Sequence, residues 1–278
     1  MVAEASTDIS AIPGAQPGAD PRAAEAARRT RRRWAIIALV HVAAVLLWEV
    51  LVRATGLPAF ILPAPSAVLA TLAVPTNAWV SNTLVTAAEI GGGYALAVVL
   101  GVALALVFSW SRALALLVFP LLVTLNMIPK VALGPIMIVW MSYGIVTNML
   151  ITFSLCFFPI LLTTVRGLQE VEPDLLDLVH SLKGSRWQVF RYIQLPGSLP
   201  YIFSGMKVAA ILAVAGAVVG EFVASERGLA YLMIQVQTSL DTAAMFMAVI
   251  LLTLLGLALY LVVLGLEHRF VPRDARKG

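Results

Sequence analysis

The chain has 278 residues, 60% of them hydrophobic and 12% charged. Soluble domains carry about 25% charged and about half apolar residues, so this apolar excess is more than one soluble core absorbs and needs lipid as a second environment. The formal charge of +4 raises nucleic acid or an anionic surface as partner, but the cations fall where membrane topology wants them and nucleic-acid binding is unnecessary. Cys156 stands alone in an apolar run, and His41, His180 and His268 are far apart. An intrachain disulfide is therefore excluded, and no metal-ligand spacing is present.

Residues 1 to about 27 are rich in Ala, Pro, Gly and Asp without an apolar period, which reads as disorder. With the basic block Arg28, Arg29, Arg31, Arg32 and Arg33, residues 1–33 are expected to form a cytoplasmic N-terminal tail. The run Trp34–Val52 is almost wholly apolar. A signal peptide has an apolar region of only about 7–15 residues and a small-residue cleavage site. This run is longer and lacks such a site, so it reads as a retained first span. A membrane crossing needs about 20 apolar residues. Further candidates are Leu84–Phe108, Ala113–Ile128, Ile145–Val165, Ile202–Phe222 and Ala243–Leu266. The run at Ala113–Ile128 is short and enters Pro129-Lys130-Val131-Ala132-Leu133-Gly134-Pro135 before a second apolar stretch to Trp140. Two prolines and a glycine predict a broken or re-entrant segment, tolerated at membrane depth where it is buried in protein or lines a watery cavity.

With a cytoplasmic N-terminus and six crossings, the inside segments hold Arg28–Arg33, Arg112, Arg166, Lys183, Arg186, Arg191, Arg269, Arg273, Arg276 and Lys277. The outside segments hold little beyond Arg53 and Arg227. This asymmetry follows the positive-inside rule and puts both termini, including a tail at 271–278, in the cytoplasm of a multi-pass cell-membrane protein. Outside the first span, Pro63-Ala64-Pro65-Ser66 before Ala67–Leu72 predicts a short interfacial helix. The fold class is an all-α integral membrane protein of about six transmembrane helices. A permease domain spans 34–270, with a cytoplasmic loop between spans 4 and 5.

That loop, about 166–200, is roughly 35 residues long, more than a minimal connection. Glu172-Pro173-Asp174 is a helix start, and Leu175, Leu178, Val179 and Leu182 recur at helical spacing. Gly184 is expected to break this helix. Ser185-Arg186-Trp187-Gln188 opens a second helix with a capping box, whose apolar side is Val189, Phe190 and Ile193. Leu195-Pro196 is expected to stop it. Two short amphipathic helices at a turn suit a partner's groove, and equally suit a cap on the bundle or the membrane surface.

This segment resembles the signature loop of ABC-importer permeases, the membrane subunits of binding-protein-dependent transport systems. Their pattern runs Glu-Ala-Ala, three residues, Gly, nine residues, Ile, any residue, Leu-Pro. Asp177 takes the Glu position, Leu178 and Val179 the Ala positions and Lys183 the Gly position, while Ile193, Leu195 and Pro196 match. Gly184 beside Lys183 is expected to supply the turn. The resemblance extends from about Trp34 to Phe270. It includes Gly93-Tyr94, Ile128–Pro135, Phe158-Pro159, Val219-Gly220-Glu221-Phe222 and Gly228-Leu229, and is similar to the branch serving nitrate, sulfonate, taurine, thiamine-pyrimidine or riboflavin-type substrates.

The resemblance implies partners: two ABC ATPase subunits, an external solute-binding protein and a second permease copy, with membrane lipid around the spans. It implies that Asp177, Leu178, Lys183, Gly184, Ser185, Arg186, Trp187, Phe190, Ile193, Leu195 and Pro196 form the ATPase-coupling loop. The sequence has no Gly-x-x-x-x-Gly-Lys-Ser/Thr phosphate loop. The chain therefore reads as a non-enzymatic subunit with no cofactor of its own, ATP and Mg belonging to the ATPase.

Asn126, Pro129 and Lys130 at the proline break, and Glu89 and Glu221 near span ends, are the candidates for the translocation path. For Asn126 and Lys130 the alternative is interhelical hydrogen bonding and snorkelling, and for Glu89 and Glu221 it is a hydrated position near the outer interface. A secondary transporter would show internal repeats with paired broken helices, and only one clear break is present. A membrane enzyme would need clustered catalytic or metal-binding residues. Few cations near the path favour a neutral or aromatic vitamin-like solute over an inorganic anion. The sulfonate, taurine and nitrate alternatives keep the same role.

Overall fold

The computed structural model describes residues 21–170, 175, 178, 179 and 181–272, the side chains of 21–27, 30 and 112 excepted. Every regular element among them is helical. The chain divides into two units, Met1–Gly56 and Leu57–Gly278.

The first unit contributes α1, Pro21–Thr55. Its part Arg31–Thr55 is long and apolar enough to cross a membrane. The helix starts upstream of the expected span, so residues 21–33, read from sequence as tail, are helical. Proline suits the first helical position, and the Ala- and Arg-rich stretch that follows has high intrinsic helix propensity.

In the second unit α2, Pro65–Ala70, is the short proline-started helix expected after the first span. Then come α3, Trp79–Trp110, α4, Arg112–Asn126, α5, Leu133–Met141, and α6, Ile145–Gln169. The loop leads to α7, Arg186–Val189, and α8, Leu195–Ala224, followed by α9, Leu229–Gln237, and α10, Thr242–Phe270. Among the described residues five helices pass for spans alone, and a sixth is formed if α4 and the Lys130–Met141 segment, bent by 81° at the break, count as one.

The break lies at Met127–Pro129. Pro135 does not contribute to it: it sits in the first turn of α5, where its missing N–H is unpaired in any helix.

The interior is organised around α6 and α8, with α3 against α6 and α10 against α8. Tyr94, Ala97, Cys156, Ile160, Phe203, Met206, Ala209, Ala213 and Val263 form one buried cluster across these four helices. Lipid tails are as apolar as leucine, so burial of apolar surface drives little association here. Close backbone approach and interhelical hydrogen bonds do more. A Cβ at Gly93 would lie 2.5 Å from the Met149 carbonyl oxygen, and one at Gly216 2.7 Å from Thr152 Cα. The Tyr94 hydroxyl donates to the Met206 carbonyl at 3.0 Å, and the Cys156 thiol to that of Ala209 at 3.3 Å. Lys207 and Glu267 form an ion pair between α8 and α10 at 2.9 Å.

Candidate functional site

The loop before α8 is built from two helix ends. Leu175, Leu178, Val179 and Ser181 are helical, and Gly184 N–H donates to the Val179 carbonyl at 2.8 Å. This six-to-one bond is the closing bond of a Schellman motif, whose penultimate residue adopts a left-handed conformation. That residue is Lys183, at φ 55°. The expectation that Gly184 supplies the turn is therefore corrected: Lys183 turns the chain from the position where the family pattern has glycine. Gly184 serves close approach, because a Cβ there would collide with Val179 Cγ1. Asp177 and the helix start Glu172-Pro173-Asp174 lie outside the described residues.

Ser185 then caps α7. Its hydroxyl accepts from Gln188 N–H at 3.3 Å, and the Gln188 side chain accepts from Ser185 N–H at 2.7 Å, the reciprocal pair foreseen from the sequence. Beyond α7 the helix does not stop. Phe190–Gln194 forms a π-turn, in which Leu195 N–H donates to the Phe190 carbonyl, and α8 continues from it. Arg186–Ala224 is thus one helix of 39 residues. The wide turn absorbs the missing donor and ring bulk of Pro196, which is why Leu195-Pro196 does not terminate the helix as expected.

The aromatic side chains of the loop face different ways. Phe190 is buried with Ala105, Phe108, Leu161 and Leu168, and Leu195 packs against the same cluster. Trp187 is 57% exposed and meets Trp110, at the end of α3, edge to face with centroids 6.0 Å apart. Arg186, Trp187, Phe190 and Trp110 line a cavity of about 530 Å³. Trp187 and Phe190, both expected in the ATPase-coupling loop, thus part ways: Phe190 belongs to the subunit's own core, and Trp187 is the outward aromatic. Leu178 and Leu182 are also exposed, at 54% and 74%, whereas Ile193 is half-buried.

Asn126, Pro129 and Lys130 gather at the bend between α4 and α5. The Lys130 ammonium donates to the Asn126 carbonyl and side-chain oxygen and to the Ile128 carbonyl, so it neutralises the negative end of α4. Asn126 and Pro129 are exposed and Lys130 is half-buried.

Glu89 and Glu221 come together well away from that bend. Glu89 on α3 accepts from the Asn148 amide of α6 at 2.7 Å. Glu221 on α8 accepts from the Thr86 hydroxyl, from Ala230 N–H at 2.6 Å and from Tyr231 N–H at 3.2 Å. Thr86 in turn accepts from Leu229 N–H at 2.9 Å, and Asn82 accepts from Gly228 N–H at 3.0 Å. Gly228 has φ 121°, and a Cβ there would strike the Glu221 carboxyl group. Glycine is the residue that accepts both conditions.

Sequence reasoning missed Asn82, Thr86 and Asn148, although a signal was present. Asn82, Thr86 and Glu89 recur every three or four residues along one face of an otherwise apolar helix. It also missed Lys207 and Glu267, an ion pair 60 residues apart along the chain, which no local pattern announces.

Residues 97–273 match the family described as the binding-protein-dependent transport system inner membrane component, and the chain belongs to it. The ThiX formylaminopyrimidine transport permease of Halalkalibacterium halodurans is 33% identical over 227 residues, covering 81% of this chain and 90% of that protein. The RibX riboflavin transport system permease of Chloroflexus aurantiacus is 34% identical, covering 81% and 85%. An inward-facing structure of the MetNI methionine ABC transporter superimposes with a TM-score of 0.54 at 18% identity, covering 66% of this chain and 94% of the matched one. The shared fold is that of an ABC-transporter permease.

Proposed function

We propose that this ABC-importer permease subunit moves a heteroaromatic vitamin or vitamin precursor, of the pyrimidine or riboflavin kind, across the inner membrane. Two observations support the substrate class. The relatives at 33% and 34% identity are named for formylaminopyrimidine and riboflavin, and the polar groups at the bend are satisfied locally instead of forming an anion-binding ring. The experiment is uptake by cells carrying the intact operon, with pyrimidines, riboflavin, sulfonates and nitrate as competitors. Competition by a sulfonate or nitrate, and by no heteroaromatic compound, rejects the substrate class and leaves the permease role standing.

The mechanism rests on the continuous helix Arg186–Ala224. The loop seats in a groove on the ATPase, with Leu178, Leu182 and Trp187 as its apolar contacts. Nucleotide-driven closure of the ATPases then tilts α8 directly, because no joint separates the docking helix from the span. ATP and Mg stay on the ATPase. Two permease copies enclose the path, an external binding protein delivers the solute, and the bend at Asn126, Pro129 and Lys130 faces that path. Both termini lie in the cytoplasm. Reporter fusions after Arg53 and Arg227 should then read outside, and fusions after Arg191 and Lys277 inside. An outside reading after Arg191 removes the docking assignment.

A further inference from the structure

The carboxyl groups of Glu89 and Glu221 approach each other: Thr86, one turn before Glu89 on α3, donates to Glu221, and Asn148, which donates to Glu89, lies against Gly220, and the two glutamates are 0% and 1% exposed. Ionised carboxylates are acceptors only, so such a contact needs a proton between them. Two like charges in contact inside a low-dielectric interior do not both persist. No cation relieves them: among the described residues the ion pairs are Arg53–Glu49, Arg166–Glu170 and Lys207–Glu267.

The donors around the pair decide which oxygen carries the proton. Glu221 receives three, from the Thr86 hydroxyl and the backbone N–H groups of Ala230 and Tyr231. Glu89 receives one, from Asn148 on Oε1, and its Oε2 has no donor while fully enclosed. Three donors fix Glu221 as the anion. A hydroxyl on Glu89 Oε2 turns the orphaned acceptor into a donor to Glu221 and leaves neither carboxyl unsatisfied.

We infer that the folded permease binds one proton between these residues, held as un-ionised Glu89 donating to the Glu221 carboxylate, and that this proton fastens the Ser225–Gly228 turn and α9 to α3 and α6. The neighbouring titratable groups are engaged elsewhere. The Tyr94 hydroxyl on α3 and the Cys156 thiol on α6 bond carbonyls of α8. Tyr231 offers the pair its backbone N–H. Glu226 and Arg227 in the turn face outward. The inference depends on neither the substrate nor the docking assignment.

The test uses the complete transporter, permease with its ATPase, in lipid nanodiscs. Its infrared spectrum should contain a protonated-carboxyl C=O band from about pH 6 to about pH 8, where exposed carboxyls are ionised. The band should vanish in Glu89→Gln. Glutamine presents an amide donor to Glu221 and a carbonyl to Asn148, so Glu89→Gln should keep Tm within about 2 °C of the parent. Glu221→Gln sets an NH₂ group against existing donors and should lower Tm by about 5 °C or more. If Glu221→Gln yields no folded protein, Glu89→Leu against Glu89→Gln carries the comparison, since leucine keeps bulk without a donor and should lose about 5 °C. The inference is overturned if the parent lacks the band. It is equally overturned if Glu89→Gln is as damaging as Glu89→Leu, or if Tm depends on sodium against potassium, which indicates a cation bridging two carboxylates.

Discussion

The helix Arg186–Ala224 is anchored differently at its two ends. At Glu221 nearly every polar atom is enclosed and turned toward another element of the same chain, so that α3, α6, α8 and α9 are tied by one hydrogen-bonded knot. At Trp187 the chain keeps only part of its apolar surface for itself. Phe190 goes inward, while Trp187, Leu178 and Leu182 stay exposed. A closed polar knot is costly to disturb and has no use for a partner, because each lost bond leaves a buried group unsatisfied. A half-covered aromatic turn tolerates change in the isolated subunit and should show its value only when a second protein is present.

That contrast orders the expected effects of substitution. The largest should be Gly228→Ala, which brings a left-handed backbone strain and a collision with the Glu221 carboxyl together. A loss of about 3 kcal/mol or more is expected, seen as a collapse of monodisperse protein on size exclusion after mild heating. Phe190→Ala should follow, at about 3 kcal/mol, as a core truncation that lowers thermal stability whether or not the ATPase is present. Trp187→Ala should be the reverse case, with permease yield and Tm unchanged and ATPase affinity reduced roughly thirtyfold in detergent pull-down. If Trp187→Ala destabilises the isolated permease as much as Phe190→Ala does, the two ends of the helix do not differ in kind. The smallest effect should be a gain. Lys183→Gly removes the cost of a left-handed non-glycine residue, about 1 kcal/mol, and should raise the stability of the loop, read by limited proteolysis across 175–190.

The long apolar runs made the spans legible, because helices that must satisfy their own backbone in lipid leave an unmistakable pattern of length and composition. The capping box at Ser185 and Gln188 was legible for the same local reason. Pro196 was misread as a stop, since a proline's effect depends on whether the preceding turn widens, and nothing in the residue names specifies a π-turn. The burial of Phe190 was not legible, because periodicity gives the face of a helix and not what lies opposite it. That required α3 and α6 to be placed, with Phe108, Leu161 and Leu168 meeting the ring. Glu89 and Glu221 were singled out individually as costly membrane residues. Their meeting 132 positions apart was invisible to any local spacing, as was the arrival of Gly228 against the same carboxyl group.

The π-turn at Phe190–Gln194 fixes rotational phase. Each α-helical residue advances the chain by about 100° and 1.5 Å, so the additional residue held in this turn sets the azimuth of Arg186–Val189 relative to the whole of Leu195–Ala224. Excising one residue there would leave composition, charge and hydropathy almost untouched, yet swing Trp187 about a quarter-turn around the axis. The loop's facing direction is thus encoded by the count of residues between its cap and the span as much as by their identities.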